Sequence, residues 1–344
     1  MHIASVGRAL PRHRYEQDEL LEAFTAYWTR THHNPRRVEQ LHRAVRVGAR
    51  HLALPIERYP DLDFTGANEA FIEVGTELAA EALSRGLKAA GIAPGELDAL
   101  YLATVTGLAT PSIDARLVQR LGLRQDLVRV PIFGLGCVAG AAGTSRVFDY
   151  LRAWPERKAA LVCVELCSLT VQREDLSIPN LIATGLFGDG AAALIAGGAA
   201  GPRVVATRSR LYPDSEHVMG WQIGSHGFRI VLSADVPAMA EQHLAGDIDA
   251  FLSEHGLDRS DIGRWVCHPG GPKVIEAYQR GLGLTREDLI HTWDSLEHVG
   301  NLSSASVLWV LAETMNASDV EPGTWGLMLA MGPGFCSEMV LIQW

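Results

Sequence analysis

The sequence contains no close pair of cysteines. Its five, Cys137, Cys163, Cys167, Cys267 and Cys336, are an odd number without CxxC spacing. No disulfide framework or zinc signature follows from them, and no metal site is expected. No run of about 18 apolar residues free of charge occurs, which excludes a membrane-spanning helix. Positive charge is in deficit, with 30 Lys and Arg against 40 Asp and Glu and a net charge of −10. That balance argues against nucleic acid as the main partner, while a local basic patch could still hold an anionic ligand. Low-complexity tracts are missing too. The opening residues MHIASVGRALPRHRY lack a basic stretch leading into an apolar run and a small-residue cleavage site. The expected compartment is therefore a reducing cytoplasm.

What is present is apolar material for a large core. Over 344 residues, 47% are hydrophobic, enough for one large α/β body or two fused halves. Residues 2–8 read as a short strand, 16–60 as helical and basic, and 69–91 as a helix ending before Gly91. Segments 97–107, 127–136 and 159–169 read as strands, separated by helices at 111–123 and 139–154. Alternating strands and helices predict parallel βαβ units. The second half echoes the first. FGDGAAALIAG (187–197) and GPGFCSEMVLIQW (332–344) are Gly turns running into strands, and a helix of small residues precedes each. This pattern predicts an internal duplication with a seam near 197–203, dividing the chain into 1–200 and 201–344.

Three residues sit at glycine-marked element ends. Cys137, in GLGCVAGAAG, lies where a strand gives way to a small-residue helix. Free amides and the dipole at a helix N-terminus stabilise a thiolate. His268, in WVCHPGGPK, ends an apolar strand and is followed by a forced turn; Gly270 and Gly271 allow a ligand close to the backbone. Asn301, in EHVGNLSSASV, opens a helix after Gly300. Each has a structural alternative: an inert buried thiol, a hydrogen-bonded loop imidazole, and an ordinary N-cap. Together, a thiolate, an imidazole and a carboxamide make a workable set for thioester chemistry. The thiolate accepts an acyl group, and the other two donate to a thioester oxygen as negative charge grows there.

GCVAG, GLFGDGAAALIAG, HPGGPKVI, GNLSSASVLWVL and MGPGF, in that order, resemble the chalcone-synthase-like, or type III, polyketide synthases over nearly the whole chain. The resemblance implies a thiolase fold of five layers, αβαβα, built from two duplicated halves, and a homodimer. It implies acyl-CoA and malonyl-CoA as substrates and no cofactor. Cys137 becomes the acyl-carrying nucleophile, and His268 and Asn301 the pair that activates malonyl-CoA. Phe187 guards the mouth of the site. Ile230 falls at a second gatekeeper position, and Thr110, Cys167 and Thr170 at cavity positions, with Ser303 of NLSSAS beside them. Ile230 and Thr110 are smaller than their plant counterparts, which predicts a longer or wider apolar cavity. MGWQIG and GFRIVLS also look like bacterial members that use fatty acyl-CoA, so the expected product is an alkyl-α-pyrone, with alkylresorcinol or another aromatic as the alternative. CoA phosphates need cations. Of Arg36, Arg37, Arg43, Arg46 and Arg50, the loose alignment favours Arg43 and Arg46, with Gly270 and Gly271 also at the CoA site and Lys273 a weaker candidate.

A ketoacyl synthase III enzyme is the nearest rival, but HPGG and NLSS stand where that family resembles HQAN and NTSAAS. A papain-like hydrolase shares the order Cys, His, Asn, yet Cys137 lies deep in the chain and lacks the CGSCW context. A catalytically dead binding relative is disfavoured by the intact trio.

Overall fold

A computed structural model describes residues 1–28 and 34–344. In chain order the elements are β1 (Ile3–Ala9), β2 (His13–Glu16), α1 (Gln17–Trp28), α2 (Pro35–Ala44), β3 (Ala49–Leu52), α3 (Phe64–Ala90), β4 (Ala99–Ala103), α4 (Ile113–Leu121), β5 (Val128–Ile132), α5 (Ala139–Ala153), β6 (Ala159–Leu166), α6 (Ile178–Leu186) and β7 (Asp189–Ala196). Then follow β8 (Arg203–Leu211), β9 (Met219–Gly224), β10 (Gly227–Leu232), α7 (Val236–Ser253), β11 (Ile262–Cys267), α8 (Pro272–Leu282), α9 (Ile290–Val299), α10 (Ser306–Asn316), β12 (Trp325–Gly332) and β13 (Cys336–Gln343). Among the described residues no helix is long and apolar enough to cross a membrane.

Two sheets carry the body. One has the order β1-β7-β6-β4-β5, the other β11-β12-β13-β8. The pairing repeats between them. β4 runs parallel to β6, β6 antiparallel to β7, and β7 antiparallel to β1. In the second sheet β11 runs parallel to β12, β12 antiparallel to β13, and β13 antiparallel to β8. Residues 197–202 carry the chain from one sheet to the other.

Period-two alternation sends each strand's side chains to two faces, and both faces are buried. From β6, Ala159, Leu161 and Cys163 point into a central core shared with α5 and α10, while Ala160, Val162 and Val164 point outward beneath α3. β12 does the same, with Met328 and Ala330 central and Leu327, Leu329 and Met331 packed beneath α7 and α8. The five layers are thus outer helices, sheet, the α5 and α10 pair, sheet, and outer helices. Helix α3 starts at an Asp63 cap, whose carboxylate accepts from Gly66 N at 2.8 Å, and stops at left-handed Gly91.

The central helices are tied across the halves by hydroxyl–carboxylate bonds. Ser145 on α5 donates to Glu338 of β13, and Ser304, just before α10, donates to Glu165 of β6, each at 2.5 Å. Close approach needs small residues. A Cβ built on Gly140 would lie 2.4 Å from Ser304 O.

The helical reading of 16–60 is corrected. Residues 49–52 form β3, antiparallel to β2 with Arg50 opposite Tyr15. Gly48 breaks the helix by bonding both ways, its N to Glu297 O at 2.7 Å and its O to Gln17 N at 2.8 Å. Gln17–Trp28 and Pro35–Ala44 are helical as read, and residues 29–33 lie outside the described residues.

Gly140→Ala should therefore destabilise the protein by about 1–3 kcal/mol through overpacking, read as a lower urea midpoint.

Candidate active site

Cys137 sits in a 3-10 turn, Gly136–Val138, that leads directly into α5. It is buried, and the thiol points to Ser303 Oγ at 3.6 Å. Burial pushes the thiol up to about 12; the Ser303 hydroxyl opposes this and the Glu165 carboxylate adds to it. Gly136 has φ +54°, and a Cβ there would press Pro333 at 2.8 Å, so only glycine brings the turn against the 332–335 loop.

His268 follows β11, its N bonded to Leu329 O at 2.8 Å, and Gly270 N turns back to His268 O at 2.9 Å. The ring is buried, and among the described residues neither nitrogen has a partner. Burial alone lowers its pKa to about 3, so the imidazole is neutral in the resting site. Two unpartnered nitrogens at full burial are rare, because an unmet polar atom costs roughly 1–3 kcal/mol.

Asn301 corrects the expectation that it opens a helix. It pairs as an isolated parallel bridge with Phe187, with Asn301 N bonded to Leu186 O at 2.9 Å and Gly188 N to Asn301 O at 3.0 Å. A 3-10 turn at Ser303–Ala305 intervenes before α10. Its side chain spans two loops: Oδ1 accepts from Ser303 N at 2.8 Å, and Nδ2 donates to Gly270 O at 3.4 Å. A bonded run therefore connects Cys137, Ser303, Asn301 and Gly270 to the turn that begins at His268.

Glu165 was not legible as a site residue, because it lies in the apolar run LVCVEL. It is fully buried and accepts from Val105 N (3.0 Å), Thr106 Oγ1 (2.9 Å), Thr104 Oγ1 (3.3 Å) and Ser304 Oγ. Burial raises its pKa to about 7 against those donors. The carboxylate clamps the end of β4 to the turn that carries Asn301 and Ser303.

A chamber of about 60 Å³ opens at Cys137. Phe187, Ile230, Cys167, Thr170 and Ser303 all line it, as placed from the sequence. Met219, Trp221, Val105, Thr106 and Pro333 line it as well, and no motif in the chain singles them out. The wide cavity expected from Ile230 is not found there. Its cross-strand partner Trp221 occupies the same chamber wall and takes up the space. Thr110 is exposed beyond the end of β4 and lines neither this chamber nor the cavity beside it in the single chain. That neighbouring cavity, about 690 Å³, shares Cys167, Val171, Ala183, Thr184 and Phe187 with the chamber.

Of the basic cluster, Arg43 is exposed and pairs with Glu39 and Asp18. Arg46 pairs with Glu276 and stacks on Trp293. Gly270 and Gly271 form the turn before α8. None of these four lines either cavity. Arg50 is different, being buried and lining the larger one.

Comparison with known proteins gives concordant matches. The profile of the chalcone and stilbene synthase N-terminal domain matches residues 1–202, and that of the C-terminal domain residues 203–344. A 1,3,6,8-tetrahydroxynaphthalene synthase of Streptomyces peucetius subsp. caesius is 52% identical over 350 residues, covering 99% of this chain and 93% of the relative. An alpha-pyrone synthesis polyketide synthase-like protein of Mycobacterium tuberculosis is 34% identical over 283 residues, covering 79% of this chain and 72% of that one. The crystal structure of 1,3,6,8-tetrahydroxynaphthalene synthase from Streptomyces coelicolor A3(2), a bacterial type III polyketide synthase, superposes with a TM-score of 0.95 at 30% identity, covering 100% of this chain and 99% of that one.

Glu165 makes a pH prediction. Its folded pKa lies above the unfolded value near 4.5, so the native state binds the extra proton between about 4.5 and 7. Stability from this group is complete below that window and is lost as pH rises through it. In urea unfolding at pH 5 and pH 8, Glu165→Gln should lose less stability on going to pH 8 than the wild type does.

Proposed function

This chain belongs to the chalcone and stilbene synthase family, the type III polyketide synthases, and from that premise we propose that it condenses malonyl-CoA units iteratively on Cys137. Such synthases are acyltransferases that form carbon–carbon bonds by Claisen condensation. The observation that carries the site assignment is the bonded run from Cys137 through Ser303 and Asn301 to the His268 turn.

In this reading Cys137 attacks a CoA thioester and retains the acyl group, and CoA leaves with the sulfur proton. The α5 N-terminus favours the thiolate form. A proton passed from sulfur to the neutral His268 ring creates two opposite charges together, which offsets the cost of burying each. His268 and the Asn301 Nδ2 then donate to the malonyl thioester oxygen. Loss of CO2 leaves an enolate on that oxygen, and its carbon attacks the acyl-Cys carbonyl. The thiolate departs, and the chain, longer by two carbons, is on CoA.

We propose malonyl-CoA as both starter and extender and a tetrahydroxynaphthalene product. The 52% identity to the naphthalene synthase supports this. So does the small chamber at Cys137, which suits a short acyl group, with the 690 Å³ cavity left for the growing chain. The ten carbons of a naphthalene correspond to five two-carbon units. The second reading, a fatty acyl starter and an alkyl-α-pyrone, draws on the apolar wall of that cavity, which includes Leu52, Ile56, Leu62, Phe64 and Phe228. Arg43 and Arg46 remain our candidates for the CoA phosphates, which would displace their present carboxylate partners.

We also infer a homodimer. Edge strand β5 has exposed Val128, and Leu108 and Phe133 are exposed just beyond the ends of β4 and β5. An unpaired edge flanked by apolar side chains invites a partner.

Mass spectrometry of products from malonyl-CoA alone, and with a panel of acyl-CoA starters, tests the substrate assignment. A naphthalene-type pentaketide from malonyl-CoA alone is expected, whereas products only with long acyl-CoA would favour the second reading. Cys137→Ala should abolish condensation while sedimenting as a folded dimer; wild-type turnover in that variant would sink the mechanism.

A further inference from the structure

The larger cavity has a charged group at its wall that no step above uses. Arg50 is 2% exposed and lines this cavity together with Cys167, Ser168, Thr184 and Phe187. Its Nε donates to Gln17 Oε1 at 3.1 Å and its Nη1 to Phe187 O at 2.8 Å. Nη2 has no partner. The nearby Asp189 carboxylate makes no hydrogen bond or ion pair with Arg50 among the described residues and accepts instead from Ala53 N (2.6 Å), Ser168 N (2.8 Å) and Ser168 Oγ. Tyr59 OH is likewise engaged with Ser168 Oγ at 2.6 Å and Leu54 N at 3.2 Å.

Burial lowers the Arg50 pKa to about 10, which still leaves the guanidinium charged at neutral pH. A buried cation with unused N–H groups is costly unless an acceptor meets them. An anionic oxygen is the strongest such acceptor.

We propose that Arg50 Nη2 is the anchor for an oxyanion, a carboxylate or the enolate of a 1,3-dicarbonyl, at the distal end of the chain growing from Cys137. The cavity reaches the Cys137 chamber through the Cys167, Thr184 and Phe187 walls that the two share. Polyketides made from malonyl units carry such oxygens at every second carbon, so the proposal rests on the malonyl reading and deepens it. An alkyl chain would leave Nη2 unmet. The same guanidinium holds the carbonyl of Phe187, so an anion drawn to Arg50 acts on the residue that borders both cavities.

The test uses the full chain without turnover. Thermal unfolding is followed with malonate, with acetylacetone at a pH where it is the enolate, and with neutral malonamide, for wild type and Arg50→Lys. Malonate, acetylacetonate or both should raise the wild-type melting temperature with concentration, and malonamide should not. The shift should be lost in Arg50→Lys, and which anion acts separates the carboxylate from the enolate. An equal shift in both proteins, or an equal effect of malonamide, overturns the proposal. If Arg50→Lys does not fold, a crystal structure of the wild type with malonate takes its place. An oxygen of malonate on Nη2 is then the supporting result, and Nη2 bonded only to water at saturating malonate overturns it. Anion binding at Arg50 in a protein that makes no polyketide from malonyl-CoA would sink the functional reading and leave this one standing.

Discussion

Two helix beginnings from opposite halves of the chain meet at the centre of this molecule, and their contact fixes what can be built around it. The turn before α5 bears Cys137, and the turn before α10 bears Asn301, Ser303 and Ser304. They touch because Gly140 has no side chain facing Ser304 O. Glu165 then holds the second turn from below through Ser304, and the strand ends of β4 through Val105 and Thr106. A duplicated fold makes this meeting natural. Each half supplies a strand, a glycine-marked turn and a small-residue helix, and a two-layer stack of sheets brings the two helices face to face.

Burial is what gives the meeting its chemistry. In water a thiol and an imidazole near each other exchange protons freely with solvent. Here burial drives Cys137 and His268 toward their neutral forms, and the ring nitrogens are left without partners. In the function proposed above, such a site responds to a bound thioester and not to bulk water. An enolate formed in such a place meets fixed donors and few competing proton sources.

Much of this was readable from the chain. Cys137, His268 and Asn301 each lie at an apolar run's end beside glycine, and such local patterns survive in a single sequence. Phe187, Ile230, Cys167, Thr170 and Ser303 came from a family resemblance, and they line one chamber. What failed was long-range. Trp221 fills the space beside Ile230 only because β9 and β10 pair in one register. Thr110 lies past the end of β4 and is exposed in the single chain. Arg50 read as one of five arginines considered for the CoA phosphates, yet β3 carries it inward, where it donates to Phe187 O. Glu165, embedded in an apolar strand, gave no periodic signal, since its four donors come from residues about 60 and 139 positions away.

The β9–β10 hairpin pairs with neither main sheet, yet contributes Trp221 and Ile230 to one cavity and Phe228 and Arg229 to the other. It is held at its flank by the Arg229–Asp175 ion pair and by Gln172, which donates to His226 O and Phe228 O. In the proposed function, shape selection is thereby housed in a module outside the two main sheets. A lineage can recut that module, or an engineer can transplant one from a relative, and the vessel for the product changes while the reactive centre and its scaffold stay as they were.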